Sequence, residues 1–167
     1  MALLEKDLVI KASIIPGAGM GLFTKKFIPK GTRIVEYKGR ITTWDVAKHD
    51  SSNLYMYTIN KNHVIDARPY KKALARYAND AQGVVRIKGI TNNCWYVNDG
   101  LKAYIESKKD IPAGAEIFVD YGKKYWDVYR QNHREEIQKE KDNQQKRRTR
   151  RSASVKRKPV TKKSMKS

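Results

Sequence analysis

Short extended runs closed by glycine or proline turns constrain this chain more than any other feature. Leu8-Val9-Ile10 and Ser13-Ile14-Ile15 stop at Pro16-Gly17, Gly21-Leu22-Phe23-Thr24 follows, and Phe27-Ile28 stops at Pro29-Lys30-Gly31. Residues 33–37 read as a strand closed by Lys38-Gly39, and residues 55–59 and 64–66 flank Asn60-Lys61-Asn62 as a hairpin. Further strands are expected at 84–87, 94–97, 102–106 and 116–119, with turns at Asp99-Gly100 and Pro112-Ala113-Gly114. Two helices interrupt this pattern. Residues 70–79 place Ala73, Leu74 and Tyr77 on one face, and a last helix begins near Lys124 with Trp126, Tyr129, His133 and Ile137 at helical spacing. Strands and helices do not alternate, so the expectation is a mostly β fold of several small sheets with short helices.

Charge divides the chain a second time. The 167 residues hold 36 Lys+Arg against 17 Asp+Glu, a net charge of +19. Residues 143–167 alone carry 11 of the basic residues and no acid, with only Val155, Val160 and Met165 as large apolar side chains. Such a segment buries too little surface to offset its ordering entropy, so a disordered basic tail is expected there. The organisation expected is a folded domain over 1–127, a C-terminal helix over 128–142 and the tail over 143–167.

Several classes drop out. A single cysteine, Cys94, leaves no disulfide framework and no Cys-rich zinc site, and His49, His63 and His133 lie too far apart for ligand spacing, so no metal is expected. No apolar run reaches membrane-spanning length, and the acid-containing start MALLEKDLVIK does not read as a secretory signal.

Three groups of residues could carry chemistry. Gly17-Ala18-Gly19-Met20-Gly21 lets backbone approach a ligand. It is not a dinucleotide fingerprint, because Pro29 and Gly31 interrupt where a helix should follow, and no Gly-Lys-Ser/Thr makes it a phosphate loop. A plain turn between strands fits it equally. Arg76-Tyr77-Ala78-Asn79-Asp80-Ala81 places Asn79 either at a helix C-terminus or against polar groups of a cofactor. Tyr37, Tyr96 and Tyr121 sit on or at the ends of strands, where tyrosine is favoured in any case.

Their joint order resembles the SET-domain protein-lysine methyltransferases. Gly17–Phe23 is similar to that family's first motif, Glu36-Tyr37-Lys38-Gly39 to its Glu-Tyr-x-Gly strand, and Val64-Ile65-Asp66-Ala67 to the segment before its cofactor helix. Arg76-Tyr77-Ala78-Asn79-Asp80-Ala81 resembles its Arg-Phe-x-Asn-His-Ser motif. Residues 110–122, Asp-Ile-Pro-Ala-Gly-Ala-Glu-Ile-Phe-Val-Asp-Tyr-Gly, resemble its closing signature. The likeness covers about residues 7–127. Asp80-Ala81 departs from His-Ser, Ala115 replaces the first of two Glu, and the flanking cysteine-rich zinc segments are missing. The helix carrying Tyr125 and Trp126 is therefore expected to close the site.

The resemblance implies a fold with a threaded, pseudoknot-like C-terminal segment and S-adenosylmethionine as cofactor. It implies that Ala18, Gly19, Met20, Gly21, Asn79 and Asp80 hold that cofactor, with Trp126 at the adenine. Tyr121 takes the central catalytic role, Tyr37 and Tyr96 line a lysine channel, and Trp95 is a further wall candidate. Val119, two residues before Tyr121, does not decide how many methyl groups are added. The implied substrate is a protein lysine, on a histone or another basic chromatin protein, with a nuclear or chromatin location in a eukaryotic or viral setting and otherwise a cytoplasmic or nucleoid one, or delivery to a host. Two alternatives stand beside this reading: a non-catalytic chromatin- or nucleic-acid-binding protein, and a methyltransferase of a non-chromatin protein. The basic tail suits non-specific phosphate contact, nuclear import or self-methylation, and its lack of aromatics argues against base-specific recognition.

Overall fold

The computed structural model describes residues 3–50, 52–83 and 85–155, with side chains to Thr149. In chain order the strands begin with β1 (Leu8–Ala12), β2 (Met20–Thr24), β3 (Arg33–Glu36) and β4 (Arg40–Thr42). A four-residue helix, α1 (Trp44–Ala47), leads to β5 (Met56–Asn60) and β6 (His63–Asp66). After a 3-10 turn at Leu74–Tyr77 come β7 (Cys94–Asp99), β8 (Lys102–Ser107) and helix α2 (Lys123–Val155). Among the described residues these strands make three antiparallel sheets, ordered β1-β2, β3-β8-β7 and β4-β6-β5. A first compact unit runs through Val128 and a second begins at Tyr129.

The core of the first unit is aliphatic. Leu22, Ile28, Ile34, Ile105, Ile111, Ile117 and Val119 are each 0% exposed, and burying a side chain of this size contributes roughly 2 kcal/mol. β8 shows how the pattern is produced. Ala103, Ile105 and Ser107 face inward while Lys102, Tyr104 and Glu106 alternate outward. Ser107 is the polar member of that inward row, and its hydroxyl is satisfied by donating to Pro29 O at 2.7 Å.

The threaded segment is residues 115–121, and its hydrogen bonds trace the path. Ile117 N–H donates to Leu22 O at 2.7 Å and Val119 N–H to Asn79 O at 2.8 Å. From the opposite side, the N–H groups of Asn93 and Cys94 donate to Phe118 O, and Phe118 N–H donates to Asn93 Oδ1 at 2.8 Å. The chain thus runs between β2 and Asn79 on one edge and Asn93-Cys94 on the other. Because each edge belongs to a different partner, residues 116–119 form isolated bridges to Phe23 and Asn79 and not the ladder strand expected.

Other expected elements changed for local reasons. Residues 70–79 form only the 3-10 turn at Leu74–Tyr77, because Ala78 is extended so that Asn79 O can meet Val119 N–H. Of the strand expected at 84–87, Val84 lies outside the described residues and 85–87 are loop, with Ile87 packed toward Ile15, Ala81 and Phe118. Ser13-Ile14-Ile15 bends because Ser13 N–H is closed onto Gly19 O at 2.8 Å. β4 and α1 carry no sequence pattern that announces them.

The boundaries expected at 127/128 and 142/143 both fall inside α2. Residues 143–155 are helical where a disordered tail was expected, and 156–167 lie outside the described residues. The composition argument concerned tertiary burial, whereas a helix needs only local support. Lys123–Val155 contains no glycine or proline and is rich in Lys, Arg, Gln and Glu, all good helix formers. Side-chain bonds one turn apart, Gln131–Glu135 at 3.1 Å and Gln138–Asp142 at 2.8 Å, add to it.

Among the glycines, Gly39 is the one held most closely against neighbouring backbone. A Cβ there would lie 2.5 Å from Asp66 O and 2.6 Å from its carbonyl carbon, neither of which can rotate aside. Gly39→Ala should therefore destabilise the chain by about 1–3 kcal/mol, read as a lowered thermal midpoint. A midpoint unchanged from wild type would show that β4 and β6 separate at no cost.

Candidate active site

The glycine turn joins β1 to β2, and one buried carboxylate organises it. Gly17 and Gly19 have φ of +79° and +75°, the left-handed region that favours glycine. Gly21 is needed for another reason. Glu116 presses so close that an added Cβ would stand 2.1 Å from its Oε1. Glu116 is 3% exposed. Its Oε1 accepts from Ser13 Oγ at 2.7 Å and Asn79 Nδ2 at 3.0 Å, and its Oε2 accepts from Ile14 N–H at 2.9 Å. The same Asn79 Nδ2 donates to Met20 O at 3.1 Å. Asn79 is therefore tied directly to the Gly17–Gly21 turn.

The closing sequence motif contains Glu116 but implies no role for it. The signal was there: an acid heading the apolar run Ile117-Phe118-Val119 must be buried, and a buried carboxylate requires partners.

The tyrosines gather at the far side of Asn79. Tyr121 donates its phenol to Ala78 O at 2.7 Å, and its ring centroid lies 4.5 Å from that of Tyr125 and 5.9 Å from Trp126. Tyr37 and Tyr96 meet edge to face at 5.8 Å, and Tyr57 lies 5.9 Å from Tyr37 and 4.7 Å from Tyr96. Tyr37 donates to Tyr55 O at 3.0 Å. Burial, the largest cause, pushes the phenols of Tyr37, Tyr96 and Tyr121 well above the usual tyrosine range. Tyr37 is part of the buried core against which Tyr57, Tyr96 and Tyr121 pack, so the three expected residues adjoin one cluster.

Tyr57 and Tyr125 belong to that cluster too. Tyr57 was read only as part of a hairpin strand, and no residue-level signal separated it from any other strand tyrosine. Trp95 does not line the cluster. It is 48% exposed, because strand alternation turns it away from the face that carries Tyr96. Arg76 serves the frame, donating to Ala67 O and Arg68 O and lying over the Tyr55 ring at 4.1 Å. Cys94 is buried and its thiol is pushed up to about 12 by that burial, so it offers no thiolate.

Asp80 closes the arrangement. It is 5% exposed. Its Oδ1 accepts from Gln82 N–H at 2.8 Å and Asn92 Nδ2 at 2.9 Å, and its Oδ2 from Tyr121 N–H at 3.0 Å and Trp126 Nε1 at 2.8 Å. Asn92 is oriented by its own oxygen, which accepts from Ala81 N–H at 2.8 Å. The Trp126 ring packs over Gly83, where a Cβ would lie 2.5 Å from the indole. Ala18, Gly19, Met20, Gly21 and Asn79 therefore adjoin on one side, while Tyr37, Tyr96, Tyr121 and Trp126 adjoin on the other.

The chain is similar to known proteins in sequence and in fold. Residues 19–122 match the family described as SET domain. Histone-lysine N-methyltransferase NSD3 of Mus musculus is 32% identical over 115 residues, which are 62% of this chain and 7% of that protein. Histone-lysine N-methyltransferase EZH2 of Chaetomium thermophilum is 29% identical over 130 residues, 70% of this chain and 8% of that protein. Among solved structures, a humanized mutant of the Chaetomium thermophilum Polycomb Repressive Complex 2 bound to the inhibitor GSK126 is similar, with a TM-score of 0.57 and 25% identity. The match covers 72% of this chain and 15% of that one. The chain thus spans less than a tenth of the length of these two curated relatives. Ordered motifs, small sheets around a threaded segment, and a match over most of the first unit together mean that the chain belongs to the SET-domain family.

Proposed function

We propose that this protein transfers a methyl group from S-adenosylmethionine to a lysine side chain, on a histone or another basic chromatin protein. One observation carries the reading. Within the dipeptide Ala78-Asn79, the first carbonyl receives the Tyr121 phenol and the second side chain bonds the glycine turn at Met20. Donor-side and acceptor-side groups are thereby held by adjacent residues.

The residues present fit the cofactor. Added Cβ atoms at Gly17 and Gly19 would meet nothing within 4 Å, so the turn has open space beside it. Asn79 spends its amide hydrogens on Met20 and Glu116, while its carbonyl oxygen accepts no bond among the described residues and suits an ammonium group. Glu116, which braces the glycine turn, is a buried carboxylate without a lysine or arginine partner among the described residues, and its charge favours a cationic ligand. When bound, S-adenosylmethionine supplies an electrophilic methyl on a sulfonium, open to in-line attack by an amine.

The chain's own work is orientation and desolvation. The aromatic walls of Tyr37, Tyr57, Tyr96 and Tyr121 attract a lysine cation and then disfavour its charge, which lowers its pKa and frees the lone pair. Because the Tyr121 hydrogen points at Ala78 O, its oxygen lone pairs remain free to receive weak C–H···O contacts from the methyl. Holding amine and methyl in line contributes several kcal/mol of the barrier reduction.

The phenols also set the pH dependence. They are neutral in the folded chain at pH values where an ordinary tyrosine, near 10, ionises. Their contribution to stability is present below about pH 10, where unfolded tyrosines are also neutral, and is lost as the pH rises through the higher folded values. With the phenols neutral throughout, kcat/KM for methylation should climb with pH up to about 10 as the free target amine deprotonates. A descending limb in that interval, with the fold intact by circular dichroism, would contradict these roles.

The basic residues of the second unit and beyond, from Lys146 onward, support non-specific phosphate contact that weakens steeply with salt and would hold the enzyme near packaged nucleic acid. The deciding experiment is incubation with methyl-labelled cofactor and core histones, followed by mass-spectrometric mapping. Histone label supports the proposal, and label confined to other proteins moves the substrate outside chromatin. Cofactor affinity below detection by calorimetry would instead leave a non-catalytic binding protein.

A further inference from the structure

We propose that Asp80 is a positioning residue whose carboxylate clamps the Tyr121 backbone and the Trp126 indole together, and so sets where the Tyr121 phenol stands. The inference rests on the methyltransferase reading for its kinetic half and on geometry alone for its structural half. A carboxylate offers about four acceptor sites, and in Asp80 donors fill them: Gln82 N–H and Asn92 Nδ2 on Oδ1, Tyr121 N–H and Trp126 Nε1 on Oδ2. The side chain is thus committed to the protein and has no acceptor site to spare for a cofactor.

The two bonds on Oδ2 have a common consequence. Tyr121 is 41 residues from Asp80 along the chain and Trp126 is 46, yet a single oxygen fixes both. It pins Tyr121 at its backbone while the Trp126 indole, seated on Gly83, stacks at 5.9 Å on the same tyrosine's ring. With Ala78 O accepting the phenol at 2.7 Å, Tyr121 is held at its amide, its ring and its hydroxyl. Asparagine at position 80 would keep the shape but point an N–H at groups that are themselves donors. A neutral histidine has one acceptor nitrogen and could not serve all four. Aspartate here and tryptophan at 126 therefore make sense as a pair.

The test uses the full-length, nitrogen-15-labelled chain. In Asp80→Asn, the Tyr121 amide and Trp126 indole proton signals should both shift while those of β1 and β2 stay in place. Its kcat should fall about 10²-fold, the cost of a small misplacement at a reacting centre, while cofactor affinity by calorimetry holds within about threefold, well short of the tenfold that 1.4 kcal/mol represents. If Asp80→Asn does not fold, Trp126→Phe removes one donor alone, and the Tyr121 amide signal should still move. The proposal is overturned if the Tyr121 amide stays in place in the folded variant, if kcat is unchanged, or if cofactor affinity falls while kcat does not. A wild-type chain that binds cofactor but forms no methyl-lysine defeats the methyltransferase reading, and the two signals then decide the clamp by themselves.

Discussion

If the chain transfers methyl groups as proposed, Tyr121→Phe should lose most of its turnover and keep its affinity for the cofactor. The substitution removes one oxygen. The ring remains stacked on Trp126 with Tyr125 against it edge-on, and the backbone remains bonded to Asp80, so the surrounding frame is preserved. What disappears is an oxygen fixed by its 2.7 Å bond to Ala78 O, in a place where burial keeps the phenol neutral. A preorganised polar group aimed at the reacting atoms contributes on the order of 10²–10³-fold in rate when deleted singly. The loss should appear in kcat, since the groups beside the glycine turn, Asn79 above all, do not touch the phenol. Ala78 is 1% exposed, so its carbonyl loses its side-chain donor in a dry place, at a cost of about 1–3 kcal/mol in stability. Methyl transfer and calorimetry on the same preparation separate these effects, and full turnover in the variant would remove Tyr121 from the mechanism.

Glu116→Ala is expected to damage stability and cofactor binding together. The carboxylate receives Ser13 Oγ, Ile14 N–H and Asn79 Nδ2 and is almost wholly enclosed. Truncation opens a void and leaves these donors facing it. Each hydrogen bond to a charged group is worth about 1.5–3 kcal/mol, and partial relaxation brings the net loss to on the order of 3 kcal/mol. For a unit of this size that lowers the thermal midpoint by on the order of 10 °C. Cofactor affinity should fall at least about tenfold, the equivalent of 1.4 kcal/mol, because Asn79 and the turn at Met20 lose their common anchor. Glu116→Gln serves as the control. It retains one acceptor oxygen and the full volume, the Ser13 hydroxyl can rotate to accept from the new amide, and the loss should be clearly smaller. Equal damage from both variants would mean that the charge, and not the bracing, is what matters at this position.

Turn-punctuated apolar runs and five ordered motifs were enough to indicate a β-rich SET-domain chain and to name Tyr37, Tyr96, Tyr121 and Asn79 as candidates, because these depend on local pattern. The strand pattern along β8 is written in residue alternation and needs no partner to be read. Pairing is different. Nothing in residues 115–121 says that alternate amides will meet Leu22 and Asn79 on one edge and Asn93 on the other, so a threaded segment looks like an ordinary strand until its neighbours are in place. The same holds for side chains that act through distant partners. Glu116 reaches Ser13 across 103 residues, Asp80 reaches Trp126 across 46, and Trp95 and Tyr96 separate only once β7 has a face to bury. Helix formation beyond residue 142 was decided locally after all, by propensity, and was missed because burial was weighed in its place. Local pattern determined many of the extended and turned segments and which chemistry-bearing residues the chain carries. Tertiary structure decided which of them meet, because hydrogen bonds and burial between segments tens of residues apart depend on topology, a property no short window of sequence contains.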